Sequence, residues 1–174
     1  LAMFAYGSAL LTDQGYGSLQ TGDAMYYMKS PVQHNLVTVN DIEDYLTEGT
    51  TSSYNTLSSG DGKELGFESN MQYDFVEYST DLYSTSQLNQ RSVLFVRSDN
   101  FWIVTDYAVP KSPEKENLFA QHWHLYPGAK ITYDDNYVIR SNFDGANVKI
   151  VPVESNEIDE VRLVDTWYSE AAGQ

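Results

Sequence analysis

The stretch that decides the fold is RSVLFVRSDNFWIVTDYA, residues 91–108. Residues 91–97 and 101–108 are rich in β-branched and aromatic side chains, which favour extended strands. The SDN tripeptide between them is made of turn-forming residues. Two such segments joined by a short polar turn predict an antiparallel hairpin.

The same pattern recurs outward from this hairpin, and its dominant period is two residues rather than 3.6. Helix is limited to short segments near residues 40–46 and 79–89, and loops are expected at 49–61 and 111–117. The many short strands with turn signals between them predict an all-β fold, an antiparallel β-sandwich or jelly-roll-like stack with minimal helix. The further strands are predicted near residues 2–6, 9–12, 33–39, 64–68, 71–78, 118–125, 130–133, 137–141, 146–153 and 160–165.

Length, charge and cysteine content narrow the class of protein. The chain has 174 residues, which suits a single domain spanning residues 1–174. It carries 25 acidic and 10 basic residues for a formal charge of -15, which disfavours binding to nucleic acid. No apolar run in the sequence is long enough to span a bilayer, so no membrane partner is expected. Cysteine is absent, which excludes disulfides, thiolate catalysis and cysteine-ligated zinc.

The sequence has three histidines, His34, His122 and His124. Residues two apart on a strand share a face, so His122 and His124 would point the same way, either as zinc ligands or as solvated surface residues. His34 and Asn35 open the predicted strand 33–39 and are either a polar site or a hydrogen-bonded structural pair. The 14 tyrosines also have two interpretations, because aromatic rings stack on sugars but equally fill the core of a β-sandwich.

Five segments, taken in chain order, resemble motifs in the β-sheet domain of the heparinase II/III-like polysaccharide lyases. The resemblance covers nearly the whole chain, although Thr166 stands where the last motif of the family has glycine. The segments are FAYGSALLTDQG at 4–15, QHNLVTVND at 33–41, Tyr83 followed by RSVLFV at 91–96 and FWIVTD at 101–106, WHL at 123–125, and TWYS at 166–169.

This resemblance implies an architecture in which an N-terminal (α/α) toroid precedes the β-sandwich domain. The chain begins at Leu1, and we expect it to be the sandwich alone, a fragment of a larger two-domain lyase. The resemblance also implies a bacterial protein that is secreted or periplasmic. The implied partners are an acidic polysaccharide or oligosaccharide and the helical toroid, and the isolated chain is expected to be weakly active or inactive.

The reaction that the resemblance implies is β-elimination on a polysaccharide containing uronic acid, such as alginate or a glycosaminoglycan. In such a reaction the uronate carboxylate is neutralised, a base removes the C5 proton and an acid protonates the leaving O4. By resemblance, the catalytic candidates are His34 and Tyr83, and the substrate-binding candidates are Asn35 and Arg91.

A structural zinc ion is also implied, with His34, Asp74 and His124 as ligands and with Asp81 and Asp61 as alternatives to Asp74. One imidazole does not easily serve both as zinc ligand and as proton shuttle, so the role of His34 stays open. The acidic charge would slow encounter with a polyuronate, so a basic groove is expected in the toroid or in a local cluster of Lys and Arg. The alternative function is a non-catalytic carbohydrate-binding or structural β-sandwich module.

Overall fold

The computed structural model describes residues 1–13, 31–40, 62–80 and 86–164. Within these ranges the chain has antiparallel strands, two 3₁₀ turns and no α-helix, and no helix there is long and apolar enough to cross a membrane. The all-β, antiparallel sandwich class predicted from the sequence is confirmed. The strands are β1 (Met3–Ala5), β2 (Ser8–Leu11), β3 (Val37–Val39), β4 (Lys63–Ser69), β5 (Tyr73–Thr80), β6 (Ser86–Val96), β7 (Phe101–Pro110), β8 (Phe119–Gln121), β9 (Lys130–Tyr133), β10 (Ile139–Asn142) and β11 (Lys149–Ile150).

The described residues form two compact units. The first unit takes residues 1–13, 33–35 and 123–164, and the second takes residues 31–32, 36–40, 62–80 and 86–122. The single domain over residues 1–174 that the sequence suggests stays a prediction.

The largest sheet lies in the second unit, and its strand order is β4-β5-β6-β7. The predicted hairpin is its centre, because β6 and β7 pair from Val96 opposite Phe101 to Ser86 opposite Pro110. Asn100 closes the turn with a φ of 52°, a left-handed conformation that Asn adopts more readily than most residues. In the same unit, the short strands β3 and β8 pair with each other.

The two faces of the four-stranded sheet differ in exposure. Along β7 exposed and half-buried residues alternate, with Phe101, Ile103 and Tyr107 exposed. Trp102 is half-buried on the opposite face, where its ring stacks on Phe95 at a centroid distance of 5.0 Å. This alternation is what a strand shows when only one face is packed.

The first unit contains the β1–β2 hairpin and a three-stranded sheet of order β11-β10-β9. The hairpin turns at Tyr6 and Gly7, whose φ angles of 52° and 77° are both positive, as a two-residue type I′ turn requires. Leu11 at the end of β2 is 1% exposed and forms an antiparallel bridge with Leu125. The bridge places segment 123–125 beside the end of β2.

Several strand boundaries are corrected by the structure. The strand predicted over residues 33–39 begins at Val37, after a 3₁₀ turn over Pro31–Gln33, so His34 lies in a bend. The strand predicted over residues 118–125 ends at Gln121, so the shared-face argument does not apply to the histidines that follow it. In each case the strand extends only as far as its partner, because β3 and β8 pair over three residues.

Two further predictions are corrected, and others fall outside the described residues. Of the helical segment predicted over residues 79–89, residues 79–80 belong to β5 and residues 86–89 to β6, and no strand forms over residues 160–164. The predicted loop over residues 111–117 is found between β7 and β8. The predicted helical residues 41–46 and the loop at 49–61 lie outside the described residues.

Candidate functional site

A histidine–carboxylate pair lies in the first unit. His34 follows the 3₁₀ turn over Pro31–Gln33, and Asp13 lies two residues beyond the end of β2. The imidazole Nδ1 lies 2.9 Å from Asp13 Oδ2, and the two side chains are 29% and 44% exposed. The pair is therefore ordered by a hydrogen bond yet within reach of a molecule arriving from solvent.

The hydrogen bond to Asp13 fixes the tautomer of His34. An ionised carboxylate only accepts hydrogen bonds, so Nδ1 of a neutral His34 must carry the proton and donate it to the bond. Nε2 then carries the lone pair. A histidine oriented in this way can take a proton from a substrate or bind a metal ion.

Asn35 joins three backbone segments in this unit. Its Nδ2 donates to the carbonyl oxygens of Leu1 and Thr12, each at 2.7 Å, and its Oδ1 accepts the backbone N–H of His124 at 2.6 Å. The backbone N–H of Thr12 in turn donates to the His124 carbonyl at 2.8 Å. Asn35 is 1% exposed, so these bonds give it a structural role that its assignment as a substrate ligand did not include.

The other two histidines have different surroundings. His124 is 8% exposed and belongs to the first unit, where its backbone bonds to Asn35 and Thr12. His122 belongs to the second unit, where its Nε2 lies 2.9 Å from the hydroxyl of Thr38. The structure therefore brings the backbone of His124 to Asn35, the residue that follows His34.

Asp74, proposed as a zinc ligand, is on β5 in the second unit. Its Oδ1 accepts hydrogen bonds from the hydroxyl of Ser69 at 2.6 Å and from Arg97 Nη2 at 2.7 Å. The Ser69 bond, followed by that of Arg97, holds the pKa of Asp74 below its ordinary value. An oxygen with these two partners is already satisfied by the protein.

Arg91, proposed as a substrate ligand, is paired with Asp106 across the β6–β7 hairpin. Nε and Nη2 of the guanidinium donate to the two carboxylate oxygens at 2.6 and 2.8 Å. Gln121 Nε2 adds a third bond to Asp106 at 2.7 Å. Tyr83, the second catalytic candidate, lies outside the described residues.

The described ranges contain no group of three or more His, Asp or Glu side chains that could hold a metal ion. The zinc site proposed from His34, Asp74 and His124 stays a prediction. The carboxylate that the structure places against His34 is Asp13, which sequence reasoning did not select. With Nδ1 bonded to Asp13, His34 can offer only Nε2 to a zinc ion, and Asp13 would then orient the imidazole rather than bind the metal.

One buried polar atom near the pair is unsatisfied. Gln33, which precedes His34, is 2% exposed, and its Oε1 has no hydrogen-bond partner within the described part of the chain. Buried acceptors of this kind are uncommon in folded proteins. The sequence gives no signal for it, because a polar residue at the start of the predicted strand 33–39 is expected to be exposed.

The fold and the site define an all-β domain with an oriented imidazole at its surface. The family model described as "Heparinase II/III-like, C-terminal" matches residues 1–174. The chain therefore belongs to the heparinase II/III-like C-terminal domain family, which is a domain family of polysaccharide lyases, as the sequence motifs predicted. Comparisons with curated proteins and with solved structures found no match.

Proposed function

We propose that this chain is the β domain of a lyase that cleaves a uronic-acid polysaccharide, alginate or a glycosaminoglycan, by β-elimination. Its membership of the heparinase II/III-like C-terminal family supports the reaction class. The structural observation that carries the proposal is the partly exposed His34–Asp13 pair. The proposal includes an N-terminal helical toroid that supplies the rest of the site, and a secreted or periplasmic location.

In the proposed reaction His34 moves a proton. Asp13 accepts the hydrogen bond from Nδ1–H and fixes the ring orientation, so the Nε2 lone pair is directed by the protein rather than by solvent. Removal of the C5 proton leaves the electron pair that expels the O4 leaving group, which must be protonated by an acid. Tyr83 is the proposed acid, and a neutralising contact to the uronate carboxylate lowers the barrier to the first step.

Binding of a structural zinc ion would compete with proton transfer for the same atom, Nε2 of His34. With Nδ1 donating to Asp13, neutral His34 has one lone pair, which can bind zinc or accept a proton but cannot do both at once. If zinc binds, it would fix the positions of its ligands and leave proton transfer to another group. Metal analysis of the purified wild-type protein and of His34→Ala decides between the two uses.

The experiment measures the ultraviolet absorbance of unsaturated uronate products, using the whole protein that contains this domain and a panel of alginate and glycosaminoglycans. His34→Ala is expected to lower kcat by about 10²-fold or more, the usual contribution of a general acid–base group. Asp13→Asn is expected to lower kcat as well, because the amide can donate to Nδ1 and so favour the opposite tautomer, and because it lacks the charge that stabilises a protonated imidazole. Arg140→Gln is the matched control, since it breaks an exposed ion pair of the same 2.9 Å length in the same unit.

Each outcome of this experiment supports or overturns part of the proposal. Product from a polyuronate that is lost in His34→Ala and kept in Arg140→Gln supports it. Absence of product from every polymer overturns the lyase function. Full activity in His34→Ala overturns the role of the imidazole, and loss of bound zinc together with thermal stability in that variant assigns His34 to the metal instead.

The second candidate, a carbohydrate-binding module, is favoured by the exposed face of the four-stranded sheet. Phe101 and Tyr107 are 43% and 58% exposed there, and Tyr73 shares this face because it lies in register with Phe101 through β6. Exposed aromatic rings on one sheet face are suited to stacking on sugars. Binding to an insoluble polysaccharide without turnover, weakened by Tyr107→Ala, would support this candidate over the lyase.

A further inference from the structure

We infer that Asn35 is the positioning residue of the His34–Asp13 pair rather than a ligand of the substrate. The inference deepens the proposed function and rests on it for its kinetic part. It starts from the position of Asn35 in the chain. Asn35 follows His34 directly, and its side chain bonds to Thr12, which precedes Asp13 directly.

Two parallel cross-links therefore join the same two stretches of chain. One is the 2.7 Å bond from Asn35 Nδ2 to the Thr12 carbonyl, and the other is the 2.9 Å bond between His34 and Asp13. The first is buried and the second is partly exposed, so the buried bond is the more rigid of the two. If the first cross-link is lost, the second loses the backbone geometry that brings its two side chains together.

The remaining bonds of Asn35 extend the same support. Its second Nδ2 hydrogen is donated to the Leu1 carbonyl and its Oδ1 accepts the His124 N–H. The amide thus uses both donors and its acceptor within the unit. Because the side chain is also 1% exposed, a sugar cannot reach it without breaking these bonds.

The main test variant is Asn35→Asp, which keeps the size of the side chain and an acceptor for the His124 N–H. Its carboxylate cannot donate to the carbonyls of Leu1 and Thr12, so the cross-link beside Asp13 is lost. Asn35→Ala removes all three bonds and serves as the second variant. Thr38→Val is the matched control, because it removes a buried hydroxyl that bonds to His122 in the other unit.

The kinetic readout separates positioning from substrate binding. In the whole protein acting on a polyuronate, we expect Asn35→Asp to lower kcat about 10- to 100-fold while KM changes little, because a displaced catalytic group costs rate rather than binding. Thr38→Val is expected to keep kcat. An increase in KM with kcat unchanged would overturn the inference, since that is the signature of a lost substrate contact.

The spectroscopic readout does not depend on lyase activity. In the 174-residue chain, ¹⁵N spectra of the wild-type imidazoles are expected to show His34 protonated on Nδ1, and Asn35→Asp to show mixed tautomers. An unchanged His34 tautomer in folded Asn35→Asp overturns the inference even if the protein cleaves no polymer. Should neither variant fold, wild-type hydrogen exchange decides: the His124 amide must be strongly protected, and rapid exchange there refutes the Asn35 bond.

Discussion

Substitution of Arg91 by methionine is expected to destabilise the four-stranded sheet because it leaves Asp106 charged and half-satisfied. Methionine keeps most of the apolar stem, so the change removes the charge and the two hydrogen bonds at 2.6 and 2.8 Å. Of the described hydrogen bonds to Asp106, only the one from Gln121 then remains. The two side chains are 18% and 13% exposed, which puts the pair well below the exposure of an ordinary surface ion pair.

The expected loss in the free energy of unfolding follows from the burial of the Arg91–Asp106 pair. Breaking a fully buried ion pair costs about 3–5 kcal/mol, and breaking an exposed one costs less than about 1 kcal/mol. For a pair buried to this extent we expect a loss of about 2–3 kcal/mol in the free energy of unfolding. Replacing Asp106 by leucine in the same chain removes the stranded charge, so the double variant should recover about 2 kcal/mol relative to the sum of the single changes.

Equilibrium urea denaturation of the two single variants and the double variant measures this coupling. Arg162→Met is the control, because its pair with Glu160 is 51% and 58% exposed and should contribute little. The reasoning is refuted if Arg91→Met lies within about 0.5 kcal/mol of the wild type, or if the single changes simply add. This loss of stability also bears on function, because any catalytic defect measured in an Arg91 variant must be corrected for the fraction of protein that is unfolded.

Three further outcomes are expected. The bonds from Ser69 and Arg97 hold the pKa of Asp74 below its ordinary value of 3.8. The stabilisation that they give is therefore present above pH 3.8 and is lost as the pH falls through the lower pKa of the folded state. Asp74→Asn should show a smaller loss of Tm on acidification than the wild type. Gln33→Met removes a buried acceptor without a described partner, and its free energy of unfolding should equal or exceed that of the wild type; a loss above about 1 kcal/mol would show that the amide is satisfied. Leu11→Ala, at a side chain 1% exposed, should lose about 2–5 kcal/mol in the same denaturation assay, and a loss below about 1 kcal/mol would contradict its place in the core.

The all-β class was predictable because the sequences of the longest strands are rich in β-branched and aromatic residues and are separated by a polar turn. The β6–β7 hairpin has strands of 11 and 10 residues, with alternating exposure along β7 and a polar turn between the two. Strands of two to four residues, such as β3 and β11, have no such signal, because their extent depends on partners distant in sequence. This is why the boundaries near His34 were wrong although the all-β class was right.

The ion pair of Arg91 was within reach of sequence reasoning. Once Val96 is placed opposite Phe101 at the turn, counting back five residues on one strand and forward five on the other puts Arg91 opposite Asp106. Opposite charges at directly paired positions are expected to interact. Arg91 was assigned to the substrate by family resemblance, and that assignment did not consider the register of the hairpin.

The partner of His34 could not be found in this way. Asp13 is 21 residues away along the chain, with no periodic pattern between the two that places them together. Their approach depends on closure of the chain around the buried amide of Asn35, and sequence alone does not show which amides are buried. The family-like segments contain both residues, Asp13 in 4–15 and His34 in 33–41, and the structure was needed to show that the two side chains pair.

The arrangement of positive charge bears on how a polyanionic substrate could reach this domain. All four arginines of the chain lie in the described ranges, and each is paired with a carboxylate: Arg91 with Asp106, Arg97 with Asp74, Arg140 with Asp134 and Arg162 with Glu160. A guanidinium already neutralised by a neighbour attracts a uronate weakly, and the net charge of -15 opposes encounter.

In the proposed lyase, binding of the polymer and proton transfer must therefore depend on different residues. Attraction of the polymer must come from basic residues outside these four pairs, which are the lysines of this chain or a basic groove of the proposed toroid, and this domain contributes an oriented imidazole. Replacing the exposed Arg162 by a neutral residue should then leave the KM of the whole protein and the salt dependence of KM unchanged, whereas the same change at basic residues of the proposed toroid should raise KM and weaken its salt dependence. A strong rise in KM with Arg162→Gln would place polymer binding on one of the paired arginines and refute this separation.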